Sequence, residues 1–159
     1  MRRRSAVPIA TPSKSQINRT KAIRRRSFAT GQKVEQRAVS VLFAYGTLRR
    51  GAPMHGLLEG RTTWLGRASA AGRLVDLGAF PGLVPAQCPG EIVYGDLFAI
   101  EEAQREALLD ALDRYEGASF ARVQQRVDGP DGSVRAWVYS YLGETDGRPV
   151  LADGDYLAR

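Results

Sequence analysis

At 159 residues the chain has room for one domain with a substantial core, but not for two ordinary ones. Its 43% hydrophobic and 25% charged residues are those of a globular protein, while a single cysteine (Cys88) and a single histidine (His55) exclude an internal disulfide, a cysteine cage and a histidine-rich metal site. The net charge of +6 divides sharply: residues 1–38 hold eleven Lys/Arg and one acid (Glu35), for +10, whereas residues 39–159 hold twelve Arg and sixteen Asp/Glu, for −4.

All three lysines (Lys14, Lys21, Lys33) also fall before residue 39. The two changes together place a boundary near residue 38, between a basic extension and a domain over 39–159. Residues 1–38 carry Arg2-Arg3-Arg4 and Arg24-Arg25-Arg26 and no useful helical or strand period. They read as a disordered tail (upstream sequence from a misassigned start among its origins), as an organellar transit segment, or as an arm for nucleic acid or an anionic surface. No apolar run reaches the length of a signal-peptide core or a membrane span, so the expectation is a soluble, cytoplasmic protein, with organellar targeting by residues 1–38 as the variant. The mildly acidic body lacks a basic stripe with interleaved aromatics, which speaks against a nucleic-acid partner.

Val39 to Tyr45 is a β-branched and aromatic run closed by Gly46 and reads as a buried strand. Ala68 to Leu77, closed by Gly78, is a second strand candidate. Glu91 to Ile100 carries Ile92, Tyr94, Phe98 and Ile100 on one face and Val93, Leu97 and Ala99 on the other, the pattern of a central strand covered on both sides. Glu101 to Tyr115 is the one clear helix, with a stripe of Ala103, Ala107, Leu108, Ala111, Leu112 and Tyr115, acids at its start and Gly117 to stop it. Ser119 to Val127 and Val134 to Leu142 form a hairpin around Gly129-Pro130-Asp131-Gly132. The tail from Gly143 is turn-rich. Strands on both sides of a lone helix predict a mixed α+β (α/β) fold, a small barrel-like mixed sheet with one main helix.

Two places invite chemistry. In Tyr45-Gly46-Thr47-Leu48-Arg49 a strand runs into a glycine turn, where the backbone can approach a ligand and successive N–H groups can converge on an anionic oxygen. The plainer reading is a strand-ending turn. Glu116 lies four residues beyond Leu112 and eight beyond Leu108, on the apolar stripe and at the helix C-terminus, both of which disfavour its anion and raise its pKa toward that of a general acid/base. The plainer reading here is a salt bridge to Arg114 or Arg122. His55 and Cys88 read as loop residues, Trp64 and Trp137 as core.

These residues carry a resemblance. Tyr45-Gly46-Thr47-Leu48-Arg49 resembles the opening signature of gamma-glutamylcyclotransferase-fold proteins. Gly72-Arg73-Leu74 with Leu77-Gly78 and Phe80-Pro81-Gly82, then Gly95-Asp96-Leu97-Phe98, then Leu112-Asp113-Arg114-Tyr115-Glu116-Gly117 with Phe120 and Arg122, resemble the later blocks in the same order. The resemblance implies a barrel-like fold and a cofactor-free enzyme needing neither metal nor organic group. It implies substrate binding by Tyr45, Gly46, Thr47, Leu48, Phe120 and Arg122, with Glu116 as the acid/base. The implied reaction folds a γ-glutamyl compound onto itself, giving 5-oxoproline and the free amine, a lyase or acyltransferase chemistry of the kind used in glutathione metabolism. The partner is then a small γ-glutamyl substrate. Many relatives have tyrosine where this chain has Phe120, which bears on substrate choice. The alternative is a non-catalytic binding or interaction protein on the same fold.

Overall fold

The computed structural model describes residues 39–158; residues 1–38, on which the expected basic extension falls, and Arg159 lie outside the described residues. Among the described residues, seven strands and one α-helix follow in the order β1 (Val41–Ala44), β2 (Thr62–Ala71), β3 (Arg73–Asp76), β4 (Pro81–Val84), β5 (Ile92–Ile100), α1 (Arg105–Glu116), β6 (Phe120–Gly129) and β7 (Gly132–Tyr141).

The sheet closes on itself. β1 pairs antiparallel with β5, β5 with β2, β2 with β6 and β6 with β7, and β7 returns to β1 in parallel at Leu42↔Trp137. The β3–β4 hairpin joins the same edge of β7 three residues further on, at Leu83↔Ser140. One strand edge therefore serves two partners in succession. Where β1 leaves β7 and β4 takes over, the wall of the barrel parts, and the candidate site lies in that parting.

Strand alternation divides the apolar residues between two cores. Val41, Phe43 and Tyr45 point into the barrel with Ala68, Val93, Leu97, Val127 and Val138. Leu42 and Ala44 point outward, onto Leu108, Leu109 and Leu112 of α1 together with Phe98 and Ile100. A short strand buried on both faces needs an unbroken apolar run, which is what residues 41–44 supply.

The structure adjusts several sequence expectations. The second strand starts earlier, at Thr62, and breaks at Gly72, where a β-carbon would meet the Val84 carbonyl at 3.2 Å. Its first half escapes periodicity because a bulge between Trp64 and Gly66 turns Leu65 to solvent. β5 is covered on both faces only in its second half, under α1; Ile92 and Tyr94 are exposed. The helix opens with a 3-10 turn, Glu102–Gln104, and its buried face is Leu108, Leu109 and Leu112, with Ala103, Ala107 and Tyr115 exposed. Leucines offer more apolar area than alanines, so they set the roll. Of the two tryptophans only Trp137 packs against a core, the one under α1. Trp64 is exposed under Arg50 at 4.2 Å, and Trp137 is half-buried under Arg122 at 4.7 Å. The tail is structural: Val150 bridges to Val75, and Leu151 and Tyr156 pack on the barrel core. Among the described residues no helix is long and apolar enough to cross a membrane.

Candidate active site

β1 delivers Tyr45 into the barrel, where its hydroxyl donates to the Tyr139 carbonyl at 2.5 Å and burial pushes its phenol well above the ordinary range. The chain then turns, the Arg49 N–H donating to the Gly46 carbonyl at 3.1 Å and the Met54 N–H to the Thr47 carbonyl at 2.9 Å. The N–H groups of Gly46, Thr47 and Leu48 make no hydrogen bond among the described residues. Gly46 has no left-handed backbone. It is glycine because a β-carbon there would lie 2.8 Å from Pro81 Cγ, so the turn presses against β4.

A buried charge cluster holds this turn. Arg49, 1% exposed, donates from Nε to Asp96 at 3.4 Å and from a terminal nitrogen to Asp155 at 2.5 Å. Asp96 of β5 also accepts from the Arg50 N–H at 3.1 Å and from the Trp64 indole at 3.4 Å. The turn is thereby tied to β5 and to the tail, as a buried charge requires.

Glu116 is the last residue of α1, and Gly117, at φ 71°, ends the helix by donating to the Asp113 carbonyl at 3.0 Å. Four residues beyond Leu112, Glu116 continues the leucine face past the edge of the core and into a cavity of about 230 Å³. Tyr45, Gly46, Thr47 and Leu48 line one side, Phe80, Pro81 and Phe120 another, and Tyr115 and Tyr139 complete the lining with Glu116. No ion pair or hydrogen bond to Glu116 occurs among the described residues, and burial raises its pKa from 4.5 to about 7. Neither arginine offered as a salt-bridge partner takes that role; Arg122 is engaged by Asp113, at 3.0 Å.

Six of the seven residues singled out in the sequence therefore meet in one cavity: Tyr45, Gly46, Thr47, Leu48, Glu116 and Phe120. Arg122 does not. Its guanidinium lies between Asp113 and the Trp137 ring, outside the lining. Sequence reasoning missed Tyr115, whose hydroxyl hydrogen-bonds Thr47 Oγ1 at 2.9 Å, and Tyr139, and gave Arg49 no buried partners. For Arg49 a signal existed: Asp96 stands in the middle of an apolar strand, and a carboxylate there needs a cation. Tyr139 carries no comparable mark.

Residues 42–158 match the family described as gamma-glutamyl cyclotransferase, AIG2-like. The chain belongs to this family. It is 34% identical over 125 residues to the gamma-glutamylcyclotransferase family protein YtfP of Escherichia coli K12, covering 74% of this chain and 96% of that protein. It is 33% identical over 106 residues to the gamma-L-glutamyl-butirosin B gamma-glutamyl cyclotransferase of Niallia circulans, covering 63% of this chain and 65% of the relative. The crystal structure of an AIG2-like protein from Mus musculus superposes with a TM-score of 0.61 at 28% identity, covering 76% of this chain and 89% of the other. The expected fold class is thus that of the gamma-glutamyl cyclotransferase family, and the matched span runs from β1 through the tail that anchors Arg49.

Proposed function

We propose that the cavity binds the γ-glutamyl end of a small substrate and that Glu116 moves the protons that close it to 5-oxoproline. The observation that carries this reading is one unpaired carboxyl, raised to about 7, in the same cavity as the Gly46–Leu48 turn. A cavity of about 230 Å³ is small beside the roughly 300–1,000 Å³ of drug-sized sites, so it suits a glutamyl-sized group with the amine portion extending outward.

The chemistry is intramolecular. The substrate's α-amine attacks its own γ-carbonyl, a C–N bond forms in a five-membered ring, and the bond to the leaving amine breaks. Holding the glutamyl chain folded supplies much of the acceleration, and no nucleophilic side chain is consumed. Glu116 as the anion takes a proton from the α-ammonium; as the acid it returns one to the departing nitrogen. A carboxyl near neutrality populates both forms at working pH. The free N–H groups of the Gly46–Leu48 turn are the donors for the charge that develops on the carbonyl oxygen. Phe120, packed at a tilt between Phe80 at 5.9 Å and Tyr141 at 5.4 Å, shapes the wall without offering a hydroxyl.

The test is release of 5-oxoproline from a panel of γ-glutamyl compounds: glutathione, γ-glutamyl amino acids and γ-glutamylamines. At least one should be converted, with a pH–rate limb near 7. Failure of every compound, with the protein folded, would favour the binding-protein alternative.

A further inference from the structure

Asp113 and Arg122 both lie in the motif blocks quoted above, and the cavity lining uses neither. Arg122 of β6 and Tyr139 of β7 are cross-strand partners. Asp113 gathers both: Arg122 donates from a terminal nitrogen to Oδ2 at 3.2 Å and sets its Nε 3.0 Å from Oδ1 as an ion pair, while the Tyr139 hydroxyl donates to Oδ1 at 2.7 Å. The Asp113 main-chain carbonyl accepts the Gly117 N–H that ends α1. One residue, a single turn before Glu116, thus takes two side-chain hydrogen bonds and an ion pair from two strands and also terminates the helix. The guanidinium is backed by the Trp137 ring, so its bond to Oδ2 is held in place and is not merely a charge contact.

The three leucines that attach α1 to the barrel make apolar contacts, which are non-directional and tolerate a small roll of the helix. The Asp113 bonds are directional. We propose that the Asp113–Arg122 pair is a positioning device that fixes the roll of the end of α1 against β6 and β7 and so keeps the Glu116 carboxyl inside the cavity. Arg122 then acts on the reaction through Asp113, without touching substrate. The kinetic part of this proposal rests on the cyclotransferase reading; the geometric part stands without it.

Both side chains are partly accessible, 26% for Arg122 and 41% for Asp113, and ion pairs of that kind add little to global stability. The variant that removes the pair without leaving a lone charge, Asp113→Ala with Arg122→Met, should therefore fold, held by the leucine face. Its Glu116 side chain is followed by carbon-detected NMR titration in the full chain. The titratable groups facing it are Tyr45 of the strand end, Tyr115 of α1 and Tyr139 of β7, and burial raises Tyr45 and Tyr139 well above the ordinary phenol range. The expected result is a midpoint that falls from about 7 toward 4.5 as the carboxyl turns to water. With it, kcat should fall about tenfold or more while KM stays within about twofold. Arg122→Lys, which offers a single ammonium nitrogen in place of the planar guanidinium, should give an intermediate kcat. A paired-removal variant that still titrates near 7 and turns over at the parent rate overturns the proposal. If the parent itself forms no 5-oxoproline from any γ-glutamyl compound, the activity assignment falls, and the titration still decides the positioning role.

Discussion

Replacing Glu116 with glutamine keeps the size and a hydrogen-bonding head but removes the proton. Its consequences for stability follow from the structure with a definite sign. The carboxyl titrates near 4.5 in the unfolded chain and near 7 in the fold, because burial disfavours the anion. Between those values the folded state holds a proton that the unfolded state has lost, so stability declines as pH rises through this window and stays lowered above it. At about 1.4 kcal/mol for each tenfold change in proton affinity, the loss amounts to about 3 kcal/mol, trimmed to roughly 2–3 by residual solvent contact. The glutamine amide of the variant cannot ionise and escapes that loss. Any penalty for burying it is independent of pH. The difference in stability between Glu116→Gln and the parent should therefore move in favour of the variant by about 2–3 kcal/mol between about pH 4 and pH 8, or roughly 5–12 °C in Tm for a domain of this size. The measurement is urea or thermal unfolding of both proteins across that range. Near pH 7 the variant should turn over γ-glutamyl substrate at least about 10²-fold more slowly than the parent, while still binding it. An inactive protein that gains stability on its parent as pH rises is the signature of a group held in an unfavourable environment for the sake of chemistry. Parallel stability curves, or a parent that gains on the variant as pH rises, would mean that Glu116 is ion-paired in solution and would refute the reasoning.

Two further substitutions probe the turn. Gly46→Ala sets a β-carbon 2.8 Å from the rigid Pro81 ring, so KM should rise about tenfold with a few degrees lost in Tm, and adding Pro81→Ala should recover most of both; an unchanged KM would separate the turn from binding. Arg49→Met leaves Asp96 and Asp155 without their shared cation, so equilibrium unfolding should show a loss of about 3–5 kcal/mol. A loss below about 1 kcal/mol would show that the cluster is well hydrated.

What could be read from the sequence was whatever shows itself along one element. The strand over residues 41–44 was visible because both its faces are buried, one by the barrel and one by α1. Glu116 stood out because it follows Leu108 and Leu112 at helical spacing, and a carboxylate in an apolar stripe breaks the pattern. Relations between elements left no such trace. Arg49 finds Asp155 across 106 positions, in a tail without any period, and the parting of β1 from β4 on the edge of β7 depends on two registers that no single segment encodes. Arg122 was readable as important and not as to what it does. The sequence reading offered it Glu116; Asp113 stands three residues earlier on the same helix, and the helix roll decides which of the two carboxylates it meets.

That last ambiguity has a physical content of its own. Were Arg122 to pair with Glu116, the cation would hold the carboxyl in its anionic form and depress its pKa, and the group could accept a proton only reluctantly and deliver one hardly at all. Pairing it with Asp113 satisfies the arginine one helical turn away and leaves Glu116 with burial as its dominant influence, which raises the pKa to about 7. The same two charges thus distinguish a structural carboxylate from a reactive one by a choice of partner. The leucine face sets that choice coarsely, and the Asp113 hydrogen bonds set it finely. A sequence that keeps Leu108, Leu112, Asp113, Glu116 and Arg122 together therefore specifies the proton affinity of a carboxyl as well as a fold.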